Sequence, residues 1–98
     1  MSDLRFDWDL AKARSNQTKH GISFEEAQTV FWDERARFLE DPDHSLTEDR
    51  FLLLGFSSQA RILVVVHCYR EEPETVWLIS ARKATRAERD YYVERWRP

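Results

Sequence analysis

The chain is poor in glycine and cysteine, and these absences exclude several classes of protein. Gly21 and Gly55 are its two glycines, so it has no glycine-rich loop of the kind that cradles nucleotide phosphates. Its one cysteine, Cys68, excludes an intrachain disulfide and gives no sign of an oxidising compartment. The longest aliphatic run, residues 62–66, is too short to cross a bilayer. Because the N-terminus also lacks an apolar signal core, we expect a cytoplasmic protein that does not engage a membrane.

Positive charge is not in excess either, since the formal net charge is −3 over 98 residues. This balance argues against a protein that binds nucleic acid over its whole surface. The charge is uneven, however: residues 1–59 carry 7 basic and 12 acidic side chains, and residues 60–98 carry 8 and 6. Much of the negative charge lies at residues 33–49, which can be a solvated linker or a contact for a basic protein. The rest of the surface can still form a positive cleft, because the local field matters more than the net charge.

Hydrophobic periodicity, turn residues and capping signals predict three helices and five strands. The predicted strands are residues 4–8, 36–40, 50–56, 61–69 and 75–81. The first predicted helix is capped by Asp7 or Asp9, runs to His20 and stops at Gly21. The second covers residues 24–32 and begins with a capping box at Ser23 and Glu26. The third begins with a capping box at Thr85 and Glu88 and runs through Trp96. Residues 41–45 have the composition of a turn. The short connection after residue 56 makes the two flanking strands an antiparallel hairpin.

This order of elements predicts an α+β fold. We expect a small antiparallel sheet packed against two N-terminal helices and one C-terminal helix. With 42% hydrophobic residues, a chain of this length builds one small core. The expected organisation is therefore a single domain over residues 1–98.

The first predicted helix carries a line of polar and cationic side chains. Lys12, Asn16, Lys19 and His20 stand at i, i+4, i+7 and i+8, a spacing that places them on one stripe of an α-helix. Hydrogen-bond donors arranged in this way suit an anionic ligand such as a phosphate backbone.

Two segments of the chain resemble one known family. The opening segment reads Trp8-Asp9-x-x-Lys12-x-x-x-Asn16-x-x-Lys19-His20-Gly21. The closing segment reads Ile79-Ser80-x-Arg82-x-Ala84-Thr85-x-x-Glu88-Arg89. Both segments, in this order, resemble the signatures of the BrnT toxins of bacterial type II toxin–antitoxin systems.

The resemblance implies a RelE-like fold and a small endoribonuclease that cleaves RNA without a metal or another cofactor and so inhibits translation. It also implies a BrnA-like antitoxin with a ribbon-helix-helix domain as the partner. Through that antitoxin, and not by itself, the toxin would be held on operator DNA.

Metal-free RNA cleavage needs a base, an acid and cations that balance the charge on the phosphorane. The expected catalytic residues are Lys19, His20 and Arg82. Histidine is the natural proton carrier near neutral pH, and arginine can grip a phosphate with two N–H groups. Other interpretations stay open: Lys19 and His20 are also ordinary residues at a helix C-terminus, and Arg82 can form a surface salt bridge.

Further residues are assigned by position and type. The expected RNA-binding residues are Lys12, Asn16, Arg50, Ser80 and Lys83. The expected partner-binding residues are the aromatic side chains of the last helix, Tyr91, Tyr92 and Trp96, for which core packing is the alternative. Trp8, Phe24 and Trp77 look like core residues. His67 is expected to be a partly buried histidine with a backbone partner, Arg61 is a weaker candidate than Arg50, and no metal site is expected.

The helical stripe and Arg82 are expected to face one cleft. The main alternative function is a RelE-like module that binds protein or RNA without cleaving it. An enzyme of small phosphorylated metabolites is a third possibility, and it would need an enclosed pocket.

Overall fold

Each predicted helix and strand has a counterpart in the computed structural model, which describes residues 4–40, 49–71 and 74–94. The strands are β1 (Phe6–Asp7), β2 (Arg37–Leu39), β3 (Phe51–Phe56), β4 (Ile62–Glu71) and β5 (Glu74–Lys83). The helices are α1 (Leu10–His20), α2 (Phe24–Thr29), which continues into a 3₁₀ turn (Val30–Trp32), and α3 (Arg86–Val93). The predicted turn at residues 41–45 and the predicted partner residue Trp96 lie outside the described residues. None of the described helices has the length and apolar character needed to span a bilayer.

The strands form one sheet in the order β1-β5-β4-β3-β2. The pairs of β2 with β3, β3 with β4 and β4 with β5 are antiparallel, and β1 joins the edge of β5 in parallel. The α+β class is therefore confirmed, and the sheet is mixed because of its short first strand. The predicted hairpin of β3 and β4 is also confirmed, with a turn closed by the bond from the Ser57 N–H to the Arg61 carbonyl at 2.8 Å.

The ends of α1 follow from its sequence. The Asp9 side chain accepts a hydrogen bond from the Ala11 N–H at 2.9 Å, which satisfies one of the free donors of the first turn. Gly21 adopts φ 71°, a left-handed conformation that glycine takes without strain, and its N–H bonds to the Gln17 carbonyl at 2.9 Å. The chain therefore leaves α1 in a fixed direction towards the buried Ile22.

The capping box of α2 is only half formed. Ser23 accepts from the Glu26 N–H at 3.0 Å as predicted. The Glu26 carboxylate does not return to Ser23; it pairs with the Arg61 guanidinium and accepts from the Ser57 hydroxyl at 2.6 Å. Burial opposes ionisation of Glu26, but these partners outweigh it and lower its pKa. Glu26 thus ties α2 to the β3–β4 turn, and Arg61 is occupied in a structural ion pair.

Side chains alternate between the two faces of the sheet. We call the side that packs against α2 the α2 face, and the other side the α3 face. The core on the α2 face is formed by Ile22, Phe24, Ala27, Val30, Leu53, Leu63, Val65, Val76, Leu78 and Ala81. The core on the α3 face is smaller and is formed by Leu52, Leu54, Val64, Ala84 and Tyr92. Each fully buried aliphatic side chain contributes about 1.5–3 kcal/mol, so the larger core dominates the stability of the fold.

Tyr92 holds α3 against the rest of the domain. It is 1% exposed, and its hydroxyl donates to the Asp33 carboxylate at 2.6 Å. Burial opposes ionisation of Asp33, but this bond and the one from the Phe56 N–H lower its pKa. The prediction that Tyr92 contacts a partner is therefore wrong, because its ring fills the core between α3 and the sheet.

Candidate functional site

Asn16 joins α1 to the open edge of β5. Strand β1 pairs with β5 at Val76 and Trp77, and none of the described strands lies beside the backbone of Ala81 on that side. The Asn16 carboxamide takes the place of one: its Oδ1 accepts from the Ala81 N–H at 3.0 Å, and its Nδ2 donates to the Ala81 carbonyl at 2.9 Å. Nδ2 also donates to the Ile22 carbonyl at 2.9 Å. The side chain acts as one rung of a β-ladder.

These bonds correct the prediction for Asn16. The residue shares a stripe with Lys12, but it is 6% exposed, and the backbone uses its two N–H groups and its oxygen. Its donors are not available to RNA. Helical spacing identifies a stripe, but it does not tell which members of the stripe lie against the sheet.

The anchored helix forms a cleft with β5. Lys12, Ser15, Lys19 and His20 of α1 line it together with Ile79 and Ser80 of β5, around a volume of about 180 Å³ above Asn16. Lys12 and Lys19 are exposed and His20 is half-buried. The structure thus brings the predicted stripe and Ser80 together.

A second cleft continues from the first across the α3 face. It has a volume of about 230 Å³ and is lined by Lys12, Arg50, Cys68, Arg70, Trp77 and Ile79. Lys12 and Ile79 belong to both clefts, so the two form one groove, which we call the basic cleft. Both parts are open to solvent, unlike the enclosed pocket that a metabolite enzyme would need.

Arg70 and Trp77 are members of the basic cleft that sequence reasoning missed. The Arg70 guanidinium lies 3.7 Å from the centre of the Trp77 ring, within cation–π distance. Trp77 is half-buried in the cleft wall and does not belong to the core to which it was assigned. The signal was the strand alternation, because Val76 and Leu78 face α2 and residue 77 must therefore face the other way.

The charge of the basic cleft is opposite to that of the chain. Lys12, Lys19, Arg50 and Arg70 line it with His20, and none of the lining residues that the structure describes is acidic. This local excess of cations stands in a chain of net charge −3. A groove lined by one sign of charge concentrates ligands of the opposite sign.

Arg82 lies beside the basic cleft in an ion pair. The β4–β5 register pairs Ser80 with Val66 and Arg82 with Val64, so both side chains project from the α3 face. The Arg82 fork donates to both oxygens of Glu88, at 2.8 and 2.9 Å. This pairing lowers the pKa of Glu88 to about 2 against the opposing effect of burial. The alternative interpretation of Arg82, a salt bridge, is the one observed, and Arg82 is not among the described lining residues of the cleft.

Lys83 is separated from this site by the strand geometry. It pairs with Leu63, whose side chain belongs to the core on the α2 face. Neighbouring residues of a strand point to opposite faces, so Lys83 cannot act beside Ser80 and Arg82. Its predicted grouping with the RNA-binding residues is not supported by its position.

The other candidate residues, Tyr91 and His67, make contacts within the domain. Tyr91 is 39% exposed, and the Arg37 guanidinium lies 3.6 Å from its ring centre. His67 is fully buried with Nδ1 3.1 Å from the Val65 carbonyl, which agrees with the predicted backbone partner. Burial lowers the pKa of His67 to about 4, so it is neutral at physiological pH. Within residues 4–40, 49–71 and 74–94, no three His, Cys, Asp or Glu side chains are grouped as metal ligands.

Comparisons with known proteins identify the family and the fold of the chain. The family model of BrnT, a ribonuclease toxin of type II toxin–antitoxin systems, matches residues 8–88. The crystal structure of the Brucella abortus ribonuclease toxin BrnT, at 1.1 Å resolution, is similar to this structure with a TM-score of 0.64 and 22% sequence identity. The similar region covers 85% of this chain and 99% of the Brucella chain, and it shows a shared fold. No curated protein sequence matches the chain. Because the family model covers most of its length, the chain belongs to the BrnT family of ribonuclease toxins of type II toxin–antitoxin systems.

Proposed function

We propose that the protein is an endoribonuclease that binds RNA in the basic cleft and cleaves it there without a metal ion. The observation that carries this proposal is the grouping of Lys12, Lys19, Arg50, Arg70 and His20 in one groove of an acidic protein. A phosphate backbone is the ligand that such a groove fits best, because each phosphate can be neutralised by a lysine or an arginine.

Lys12 is central to binding, because it lines both parts of the groove. A strand of RNA that follows the groove would pass from the α1 stripe, across Lys12, to Arg50 and Arg70. The half-buried Trp77 ring offers a flat surface for an unpaired base, and Arg70 already stacks on it. Stacking on an aromatic ring stabilises bound single strands with little sequence preference.

The proposed chemistry is attack of a ribose 2′-hydroxyl on the adjacent phosphorus. The hydroxyl gives its proton to a base, the new P–O bond closes a 2′,3′-cyclic phosphate, and the departing 5′-oxygen takes a proton. His20 is the imidazole of the groove and is the proposed proton carrier. Lys19, its neighbour at the end of α1, is proposed to stabilise the charge on the phosphorane.

Arg82 has a different proposed role from the one its sequence position suggested. Its bidentate pair with Glu88 joins the end of β5 to the first turn of α3. Direct contact with a phosphate would require Arg82 to leave this pair. Arg82 is therefore proposed to position the exit of β5, where Ser80 faces the groove, and it can contact RNA only after such a rearrangement.

The toxin family implies an antitoxin partner for this chain. We propose that this partner is a BrnA-like protein with a ribbon-helix-helix domain, that the pair represses its own operator DNA through that domain, and that the free toxin inhibits translation in the cytoplasm. The family membership supports this proposal, because toxins and antitoxins of type II systems act as protein pairs.

The test compares cleavage of a defined single-stranded RNA by the purified protein in the presence of EDTA. We expect His20→Ala to lower the cleavage rate by about 10²-fold or more, as the loss of a proton carrier commonly does. Lys83→Ala is the matched control, because it removes an exposed cation from the other face. It should cleave at close to the wild-type rate.

Two results would count against the proposal. Cleavage that continues unchanged in folded His20→Ala would remove His20 from the chemistry. RNA binding by the wild type without cleavage under any of these conditions would favour the alternative, a binding module. An absolute requirement for a divalent ion would contradict the metal-free mechanism alone.

A further inference from the structure

Four large aromatic side chains are exposed on the α2 face, away from the basic cleft. Trp32, Phe38, Phe51 and Tyr69 are 53%, 61%, 38% and 47% exposed. Three of them are neighbours: the Phe51 ring centre lies 6.4 Å from that of Phe38 and 5.2 Å from that of Tyr69. We call these four residues the aromatic patch.

The fully buried His67 ring and the half-buried Phe31 and Phe6 rings support the patch on its inner side. Fully buried His67 lies 6.3 Å from Phe38, 6.0 Å from Phe51 and 5.2 Å from Tyr69, measured between ring centres. Phe31 contacts His67 at 4.8 Å and leads through Phe6 to Trp32. The exposed rings therefore stand on a packed, neutral base and lose little freedom when a partner binds. Rigid exposed aromatic residues are the type enriched at protein–protein interfaces.

Acidic side chains border one side of this patch. Glu71 and Glu74 are direct partners in the β4–β5 register and are both exposed. Glu71 lies two residues after Tyr69 in an extended strand, so it projects from the same face. Asp49 is exposed and lies two residues before Phe51, just outside β3. Like charges opposite each other in a sheet are destabilising, so the Glu71–Glu74 pair would be relieved by a bound cation.

We infer that the aromatic patch and its acidic surroundings form the docking surface for a basic, amphipathic segment of the antitoxin. This inference rests on the proposed function for the existence of that partner. Aliphatic side chains of the segment would cover the four rings, and its lysines or arginines would pair with Asp49, Glu71 and Glu74.

Charge distinguishes this occupant from two others. A second copy of the chain would bring one acidic border against another, and the carboxylates would repel. RNA would meet the same carboxylates with its phosphates. The cations next to Phe51 and Tyr69 in sequence, Arg50 and Arg70, line the basic cleft on the α3 face instead. A basic protein segment would be attracted by the carboxylates beside the aromatic patch and repelled by the cations of the basic cleft.

The docking surface and the basic cleft lie on opposite faces of the sheet. A partner anchored on the aromatic patch therefore leaves the cleft physically open unless another part of that partner reaches it. Substitutions on the patch should weaken antitoxin binding without changing RNA binding, and substitutions in the cleft should do the reverse.

The test uses the full-length toxin and the protein encoded by the adjacent reading frame as the probe. The His20→Ala toxin serves as the parent so that it can be produced safely. Binding is measured by calorimetry or surface plasmon resonance for the parent, for Trp32→Ala/Phe38→Ala and for Phe56→Ala. Phe56 is the matched control, because it is 42% exposed but pairs with Ile62, which packs against the core on the α3 face.

The double variant should weaken binding by about 30-fold or more, as loss of hot-spot aromatic residues does, whereas Phe56→Ala should change it by less than about 2-fold. Glu71→Gln/Glu74→Gln should slow association and reduce its dependence on salt, while dissociation changes less. The salt dependence of association of the parent toxin tests the acidic border even if the double variant fails to fold.

Each other outcome has a distinct meaning. If the parent toxin does not bind the protein from the adjacent reading frame, both the proposed partner and the docking surface are contradicted. If the parent toxin binds tightly and the folded Trp32→Ala/Phe38→Ala variant binds equally tightly, the docking surface is overturned and the proposed partner is not. Concentration-dependent dimerisation that Phe38→Ala abolishes would assign the patch to a second copy of the chain. RNA binding that Phe38→Ala weakens would assign the patch to RNA. Either result would also overturn the inference.

Discussion

The same strands present opposite surfaces on the two faces of the sheet. On the α3 face, Arg50, Arg70 and Trp77 form part of the basic cleft. On the α2 face, their neighbours Phe51 and Tyr69 belong to the aromatic patch. Residues adjacent in sequence thus serve surfaces with opposite charge, because consecutive side chains of a strand point in opposite directions.

This difference shows why the net charge of −3 says little about what the protein binds. Strand alternation separates the cations Arg70 and Arg50 of the basic cleft from Glu71 and Glu74 beside the aromatic patch, so the two surfaces have different local fields. A slip of one residue in the register would exchange the two surfaces. The local geometry of the sheet, and not the composition, therefore decides which face is proposed to bind RNA and which face is proposed to bind a basic protein.

The largest expected effect comes from removing the anchor of α1. Asn16→Ala leaves the Ala81 N–H, the Ala81 carbonyl and the Ile22 carbonyl without their partner. Because unpaired buried polar groups are costly, we expect the free energy of unfolding to fall by about 3 kcal/mol in urea titrations. Gln17→Ala, an exposed substitution on the same helix, is the control. Equal stability of the two variants would mean that Asn16 does not anchor the helix.

Reversing one charge in the basic cleft should weaken RNA binding, whereas reversing a charge on the α2 face should not. Lys12→Glu places a carboxylate in the part that both clefts share. A like charge in a binding site costs several kcal/mol, so RNA affinity should fall by about 10²-fold in fluorescence anisotropy. Lys83→Glu, on the α2 face, should change it by much less. Similar losses in both variants would show that RNA responds to overall charge and not to the cleft.

Salt titrations sharpen the comparison further. If Arg70 neutralises one phosphate, Arg70→Gln should reduce the slope of log affinity against log salt concentration by about 1. Phe38→Ala changes the aromatic patch and should leave this slope unchanged. A slope that Arg70→Gln does not alter would remove Arg70 from the RNA contacts, although its stacking on Trp77 could still hold the ring in place.

The smallest effect is expected from the ion pair beside the cleft. The pKa of Glu88 is lowered from 4.5 to about 2, chiefly by Arg82. A carboxyl whose pKa is lower in the folded state stabilises the fold above its unfolded pKa, and this contribution is lost as the pH falls from 4.5 towards 2. Because the pair is partly exposed, the loss should be on the order of 1 kcal/mol.

Glu88→Gln isolates that contribution in acid titrations of thermal stability. The variant should be less stable than the wild type at neutral pH, and the difference should close across this pH range as Glu88 of the wild type becomes protonated. A constant difference at every pH would show that the pair does not contribute through its charge.

Local signals predicted the elements well, and they predicted the surfaces less well. The Asp9 cap, the Gly21 stop and the Thr85–Glu88 capping box are all present in the structure. Helical spacing also placed Lys12, Lys19 and His20 in one cleft. These features depend on residues a few positions apart, and such neighbours meet in the same way in any fold that keeps the helix.

The predictions that changed depended on contacts between distant segments. Glu26 was predicted to close a capping box, but Arg61 lies within its reach only after β4 is in place. Tyr92 was predicted to contact a partner, with core packing as the alternative, and α3 turns it towards Asp33 in the core. The aromatic patch was not predicted, because Trp32, Phe38 and Phe51 come from separate elements that share no sequence pattern.

The sequence by itself determined the helices, the alternation along the strands and the family, because these follow from near neighbours and from two short signatures. The tertiary structure decided that Asn16 is an anchor and that Trp77 is a wall of the cleft. It also decided that the cations of the basic cleft and the rings of the aromatic patch occupy opposite faces. The physical reason is the pairing of strands: only when β5 lies between β1 and β4 does it have an open edge for Asn16 and two faces with different neighbours.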